Sequence, residues 1–270
     1  MIKAKEMLES GQLTAAISEM TQAIKAKPAD VTYRLFFWEL LCFAGDYERA
    51  GKQLEVAGHL DDKMRAGIQV YIDVMGAEKK RRGVFAQGHL PDFLAARPEF
   101  ASLYLEAWTM RREKLPAKAK ALLAGALDLQ APISGQVDGK SFQGFEDSDL
   151  FLGPFLEIML KDRYIWLPFT EIRRIQLAKP TQLRDLLWIR ALVETHSGSS
   201  GEVFVPALYP GSSEHPEDAV KLGRITDWVD LGEGLAQGAG QRMFAIDDEE
   251  RAMLEVNDIS FNSDHEQERA

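Results

Sequence analysis

Residues 33–54, YRLFFWELLCFAGDYERAGKQL, decide the fold. Leu35, Phe36, Phe37, Trp38, Leu40, Leu41, Cys42, Phe43 and Ala44 put apolar side chains on nearly every face of one helix. A helix that is apolar all round is a central helix, packed by neighbours on several sides. Gly45-Asp46 breaks it, and 47–54 begins a second helix. The unit recurs. GQLTAA at 11–16 aligns with GDYERA at 45–50, an offset of 34 residues, and Met20 then falls on Leu54 and Ala23 on Ala57. KLPAKA at 114–119, followed by Leu123 and Ala126, is a third copy, 69 residues beyond the second. This period, with small residues where two helices cross and Pro28 closing the first unit, marks tetratricopeptide-like repeats.

The unit between the second and third copies is degenerate. A helix is expected over about 63–82, a break at 83–88, a short helix over 90–96, and a further helix over 100–113. Residues 1–130 therefore read as an all-α solenoid of helical hairpins. Gly, Pro, Ser and Asp rise after Ala131-Pro132 and helical periodicity fades. Asp138-Gly139 between two short alternating runs, 133–137 and 140–145, signals a two-residue hairpin turn. Strands are expected at 156–160 and 164–168 around Lys161-Asp162-Arg163, and a short helix or turn at 169–173. A second hairpin, 186–193 with 201–206, closes around HSGSSG at 196–201. A short helix at 216–222, a Gly-rich loop at 232–240 and a strand at 242–246 follow. Asp247 and Glu250 form a capping-box pattern for a helix over 248–254, before a last strand at 255–261. The fold class is thus α+β in two domains: a tetratricopeptide-like array, 1–130, then a mixed, mostly antiparallel α+β domain, 131–261. Residues 262–270 form a polar tail.

The formal net charge is −10 and the pI about 5.1. Nucleic acid and anionic membrane surfaces, both held through clustered Lys and Arg, are disfavoured as partners. The one basic run, 79–82, reads as a solvated helix face. No apolar run approaches the length of a membrane span, and residues 1–10 enter an amphipathic helix without a leader pattern. A cytoplasmic protein is expected. Cys42, the single cysteine, excludes an internal disulfide and reads as a buried small hydrophobe.

Three sets of residues are candidates for function. In tetratricopeptide arrays the first helix of each unit lines a concave face, and repeat phase puts Lys5, Leu8, Leu35, Glu39, Cys42, Phe43, Gln69 and Asp73 there. Glu39 is the odd carboxylate in an apolar helix, so it faces a groove or pairs with an arginine such as Arg34 or Arg65. The second set is the acidic run Glu146, Asp147 and Asp149, a partner-contact or turn cluster whose spacing fits no calcium loop. A small-ligand or hydrolytic site built on it with an Arg is the alternative reading; Arg173, Arg174 and Arg184 are the nearest candidate partners, and Arg163 another. The third is GEGLAQG at 232–238, which lacks the Lys and the strand-then-helix setting of a phosphate loop. His59, His89, His196, His215 and His265 are scattered, with no pair at helical metal-ligand spacing. No catalytic residue, metal or cofactor is expected. Trp166, Trp188 and Trp228 read as core of the sheet domain.

Several stretches together carry a resemblance. They are RLFFWELLCFAGDYERA at 34–50, Val84-Phe85 with Gly88 and Pro91, EDSD at 146–149, GPFLE at 153–157 and RYIWLPF at 163–169. They continue with RDLLW at 184–188, VFVPALYPG at 203–211, RITDW at 224–228 and GQRMF at 240–244. In this order the sequence resembles the ImpE/TagJ family (SciE-type), accessory proteins of bacterial type VI secretion. It departs at Ser148, where a further Asp is expected, which weakens a metal role for the run. The resemblance implies a non-enzymatic, virulence-associated adaptor. Its partner would be the N-terminal helix of the small sheath subunit, connecting the contractile sheath to the AAA+ ATPase that disassembles it.

Overall fold

The computed structural model describes residues 1–263; the tail residues 264–270, His265 among them, lie outside the described residues. Seven helices come first: α1 (Ile2–Glu9), α2 (Leu13–Ala26), α3 (Val31–Phe43), α4 (Tyr47–Leu60), α5 (Arg65–Gln87), α6 (Glu99–Arg112) and α7 (Pro116–Leu127). The repeat signal is realised at the turns. Gly11 and Gly45 both stand at positive φ, 77° and 72°, between the two helices of their units. Lys114 takes the same left-handed position in the third copy, at φ 58°. The small residues that follow, Ala16, Ala50, Ala57, Ala119 and Ala126, are fully buried where helices cross. Asp30 and Asp46 cap α3 and α4 by accepting from the Tyr33 and Arg49 amides. Phe36 through Phe43 are buried without interruption, so α3 is the central helix its composition dictates.

The second part opens with β1 (Gly135–Val137), β2 (Lys140–Phe142), β3 (Phe145–Asp147), β4 (Phe155–Leu160), β5 (Arg163–Pro168) and β6 (Ile172–Leu177). It continues with β7 (Trp188–Thr195), β8 (Ser200–Pro206), the single-turn α8 (Asp218–Lys221), β9 (Thr226–Gly232) and β10 (Leu235–Gly240). It ends with β11 (Met243–Ile246), β12 (Glu249–Ala252) and β13 (Asp258–Phe261). An eight-stranded sheet runs β2-β1-β13-β6-β7-β8-β4-β5, beside the three-stranded β12-β11-β3 and the hairpin β9-β10. Its strand pairs are antiparallel.

Strands β4 and β5 of the large sheet are buried on both faces, and alternation along them assigns the layers. Phe155 and Met159 of β4 and Tyr164 and Trp166 of β5 join the core shared with the helices. Leu156 and Ile158, and Ile165 and Leu167, point the other way, into a core shared with Phe145 and Phe244 of the small sheet. The layers are therefore helices, large sheet, small sheet. The helix side is knitted by aromatic pairs: Phe85 lies 6.2 Å from Trp166, Tyr104 is 5.4 Å from Phe155, and Trp108 is 5.2 Å from Phe151. At the far end the contact is polar. Arg224 donates to the carbonyls of Leu8 and Glu9 at the end of α1, and Asp218 accepts from the Thr14 amide at the start of α2. A cation at a helix C-terminus and a carboxylate at an N-terminus both complement the helix dipole.

Four local expectations are corrected. The helix α5 continues through the predicted break and stops at Gly88, which takes φ 77°. Residues 90–96 are not helical; Asp92 instead forms a parallel bridge with Ile165, donating to Tyr164 and accepting from Trp166 along the free edge of β5. The glycine-rich stretch is the β9–β10 hairpin rather than a loop. The capping box at 247–250 is not used. Asp247 adopts φ 52° at the turn of a β11–β12 hairpin, and its carboxylate accepts from the amides of Gln143 and Gly144. No helix of the described residues is long and apolar enough to cross a membrane.

Candidate functional site

The centre of the molecule is a buried polar network on the seam between α5 and the large sheet. The strand alternation that turns Phe155 and Met159 toward the helices turns Glu157 there as well. Glu157 is fully buried, and an isolated carboxylate at such a site would be untenable. Two arginines enclose it. Arg81 of α5 binds it in bidentate fashion, Nε to Oε1 at 2.7 Å and Nη2 to Oε2 at 3.0 Å. Arg242, from the turn before β11, donates Nη1 to Oε2 at 2.9 Å. Tyr164 donates its hydroxyl to Oε1 and receives the Trp166 indole N–H at 2.6 Å. Arg81 also reaches the Leu208 carbonyl at 2.9 Å and Glu78 at 3.4 Å, one helical turn away. Glu78 in turn accepts from the Trp188 indole at 3.2 Å. Burial raises the Glu157 pKa, but Arg81 and Arg242 together hold it below the usual carboxylate range.

The acidic run is part of this network. Asp147 and Asp149 are fully buried, while Glu146 is half-buried. Asp147 takes the Arg242 Nε and the Asp149 amide. Asp149 accepts from the amides of Phe151 at 2.9 Å and Gly238 at 3.0 Å, so it fixes the 149–153 loop against β10. With two amide donors and no ion pair of its own, burial and the charge of Asp147 push its pKa up to about 7, against the opposing charge of Arg242. The cations proposed for the run are engaged elsewhere: Arg163 with Asp92, Arg173 with Glu194, Arg174 with Asp258 and Arg184 with Glu39. Among the described residues, no group of three or more His, Cys, Asp or Glu is arranged to hold a metal ion.

The eight concave-face residues fall into two groups. Glu39, Cys42 and Phe43 are buried under the sheet domain. Glu39 pairs at 2.8 Å with Arg184, which also lies over the Tyr71 ring, in place of the expected Arg34 or Arg65. Burial still raises the Glu39 pKa against that ion pair. Burial pushes the Cys42 thiol well above its ordinary value. Leu8 is buried as well, with its carbonyl held by Arg224. Lys5, Leu35, Gln69 and Asp73 keep some exposure; Gln69 donates to Asp73 at 2.7 Å along α5. The second domain thus covers the part of the face nearest the middle of α3.

Sequence reading missed Glu78, Glu157 and Arg242 and misplaced Arg81. Within the basic run, Lys79, Lys80 and Arg82 are solvated as expected, but Arg81 is only 5% exposed. The helical phase carried the signal: Arg81 shares the face of Val74, Ala77, Glu78 and Phe85, all buried. Glu157 was signalled too, as the one charge in the inward phase of FLEIML.

Removing one partner of a buried pair leaves an uncompensated charge. Arg242→Met is expected to lower the unfolding free energy by about 3–5 kcal/mol, read by urea titration. Asp149 gives a pH signature. Its folded-state pKa of about 7 exceeds the ordinary 3.8, so its contribution to stability is complete below pH 3.8 and lost as pH rises toward 7. The stability of the wild type relative to Asp149→Asn is therefore expected to fall across that window and level off above it. Parallel pH profiles would contradict the assignment.

Known proteins were compared with this chain. The family model "ImpE protein" matches residues 139–260. The type VI secretion system accessory component TagJ of Pseudomonas aeruginosa is 33% identical over 258 residues, covering 96% of this chain and 90% of TagJ. A crystal structure of a Vibrio parahaemolyticus protein superposes with a TM-score of 0.90 at 24% identity, covering 98% of this chain and 99% of that one. That likeness supports the fold, helices and sheet together. The similarity to TagJ extends through both the helical array and the sheet domain, and the chain accordingly belongs to the ImpE/TagJ family of type VI secretion accessory proteins.

Proposed function

We propose that this protein is a non-enzymatic adaptor that receives an amphipathic helix from the small subunit of the type VI sheath and links the sheath to its disassembly ATPase in the cytoplasm. The observation that carries this reading is the similarity to TagJ across 96% of the chain, helical array included. Helix-in-groove binding is a recurring use of stacked helices. The array offers Lys5, Leu35, Gln69 and Asp73 on the accessible part of its repeat-phase face, with Val70 and Ile72 exposed beside them on α5. The carboxylates that would serve a hydrolytic centre are instead committed to Arg242 and to backbone amides, which favours an interaction role.

Calorimetric titration of the full chain with a synthetic peptide of the sheath subunit's N-terminal helix tests the proposal. Saturable binding is expected, weakened about tenfold by Leu35→Asp and by Asp73→Arg, with melting temperatures close to wild type. No heat of binding at high micromolar peptide would sink the partner assignment. Binding that both variants leave unchanged would move the site off this face.

A further inference from the structure

A cleft of about 180 Å³ opens on the seam, between α4, α5 and α6 on one side and the 208–214 segment on the other. Its walls are aromatic: Trp108, Trp188, Phe85 and Tyr47. Besides Arg81, which the buried network holds, two arginines stand at it, each backed by a ring. The Arg82 guanidinium lies 5.3 Å from the Tyr47 ring centre, and that of Arg111 lies 5.2 Å from Trp108. Stacking on a ring fixes a guanidinium while leaving its in-plane N–H groups able to face a planar anion. Arg82 already donates one of them, Nη1, to the Gly45 carbonyl at 3.2 Å.

Arg111 is the exceptional one. Its Nε is buried without a hydrogen-bond partner, and it forms no ion pair among the described residues. Buried polar groups are nearly always satisfied, and a charged donor left without an acceptor costs more than a neutral one. The two fully buried guanidiniums of the seam are engaged, Arg81 by Glu157, Glu78 and Leu208 and Arg242 by Asp147 and Glu157. The Arg184 Nε is also buried without a partner, but its Nη1 is held by Glu39, whereas half-buried Arg111 has no such ion pair among the described residues. The carboxylate near the cleft mouth belongs to Glu214. It lies 3.8 Å from Arg82, and its side chain is largely exposed. Arg111 is within electrostatic reach of two carboxylates, first the buried Asp149 and then Glu214. Gly211, at φ 83°, turns the chain into that segment. The charged lining is Arg81, Arg82 and Arg111 against Glu78 and Glu214, and Arg81 is already paired with Glu157 behind the wall.

We propose that this cleft is a binding site for a small organic acid or phosphate ester, its anionic group held by Arg111 and Arg82 and its flat apolar body against Tyr47 and Phe85. Glu214 is a weak internal competitor that the ligand displaces. The volume suits a small molecule and is too small for a helix or a nucleotide, since typical ligand pockets begin at roughly 300 Å³. The site lies between the two domains, so occupancy clamps helices to sheet and stabilises the folded chain by mass action.

The full chain is titrated at constant ionic strength with inorganic phosphate, benzoate and phenyl phosphate, following tryptophan fluorescence and calorimetric heat. Saturable one-site binding of at least one probe is expected, with a rise in melting temperature. A response to phosphate and phenyl phosphate alone assigns phosphate chemistry, and one to benzoate alone assigns carboxylate chemistry; each supports the site. Arg111→Gln is expected to weaken binding about tenfold, and Glu214→Gln to strengthen it about threefold. The proposal is overturned by no saturable response to any probe at about 10 mM, or by unchanged affinity in folded Arg111→Gln. Should Arg111→Gln fail to fold, Glu214→Gln decides alone, because it alters an exposed side chain; unchanged affinity there is equally fatal.

Discussion

Glu157 enters the interior on a strand whose inward phase must be filled, and it carries a charge there. Moving a carboxylate out of water costs several kcal/mol unless ion pairs and hydrogen bonds replace its hydration. Arg81 supplies two of those bonds from α5, Arg242 a third from the far end of the sheet domain, and Tyr164 a fourth from the neighbouring strand. The requirement ties three distant parts of the chain to one point. Because Arg81 stands on the helical side, satisfying Glu157 fixes how the array sits on the sheet. Apolar contacts such as Phe85 on Trp166 supply most of the attraction across the seam, and the ion pairs set its register.

That arrangement explains why the central face of α3 is closed. In a free-standing array the residues in phase with Glu39 would line an open groove. Here Arg184 reaches Glu39 from just before β7, and Trp188 packs against Tyr47 and donates to Glu78. The sheet domain acts as an internal ligand of the solenoid. At the first two helices Arg224 and Asp218 complete the termini of α1 and α2, so the array is held at its start as well as its middle.

The local units were readable because their signals are local. The 34-residue glycine spacing, the Asp138-Gly139 turn and the all-round apolar α3 each depend on a few adjacent residues. Two of the misreadings share one cause, a long-range partner that overrode a local preference. Residues 90–96 carry a helical pattern but are drawn out along the unpaired edge of β5. The capping box at 247–250 yields to a hairpin because Asp247 caps the Gln143 and Gly144 amides instead. The acidic run was legible as a turn or partner-contact cluster but not as part of a buried network, because its counter-ion, Arg242, lies 95 residues downstream of Asp147. Family likeness reached the type VI secretion accessory role where residue patterns alone did not.

The claim at the centre is that the Arg81–Glu157–Arg242 network welds helices and sheet into one cooperative unit. Native-state hydrogen exchange, followed across rising sub-denaturing urea, tests it directly. The account predicts that the slowest amides of α3 and α5 converge with those of β4 and β5 on one opening free energy and one urea dependence. Helical amides that open through a separate, cheaper transition while β4 and β5 stay protected would contradict it.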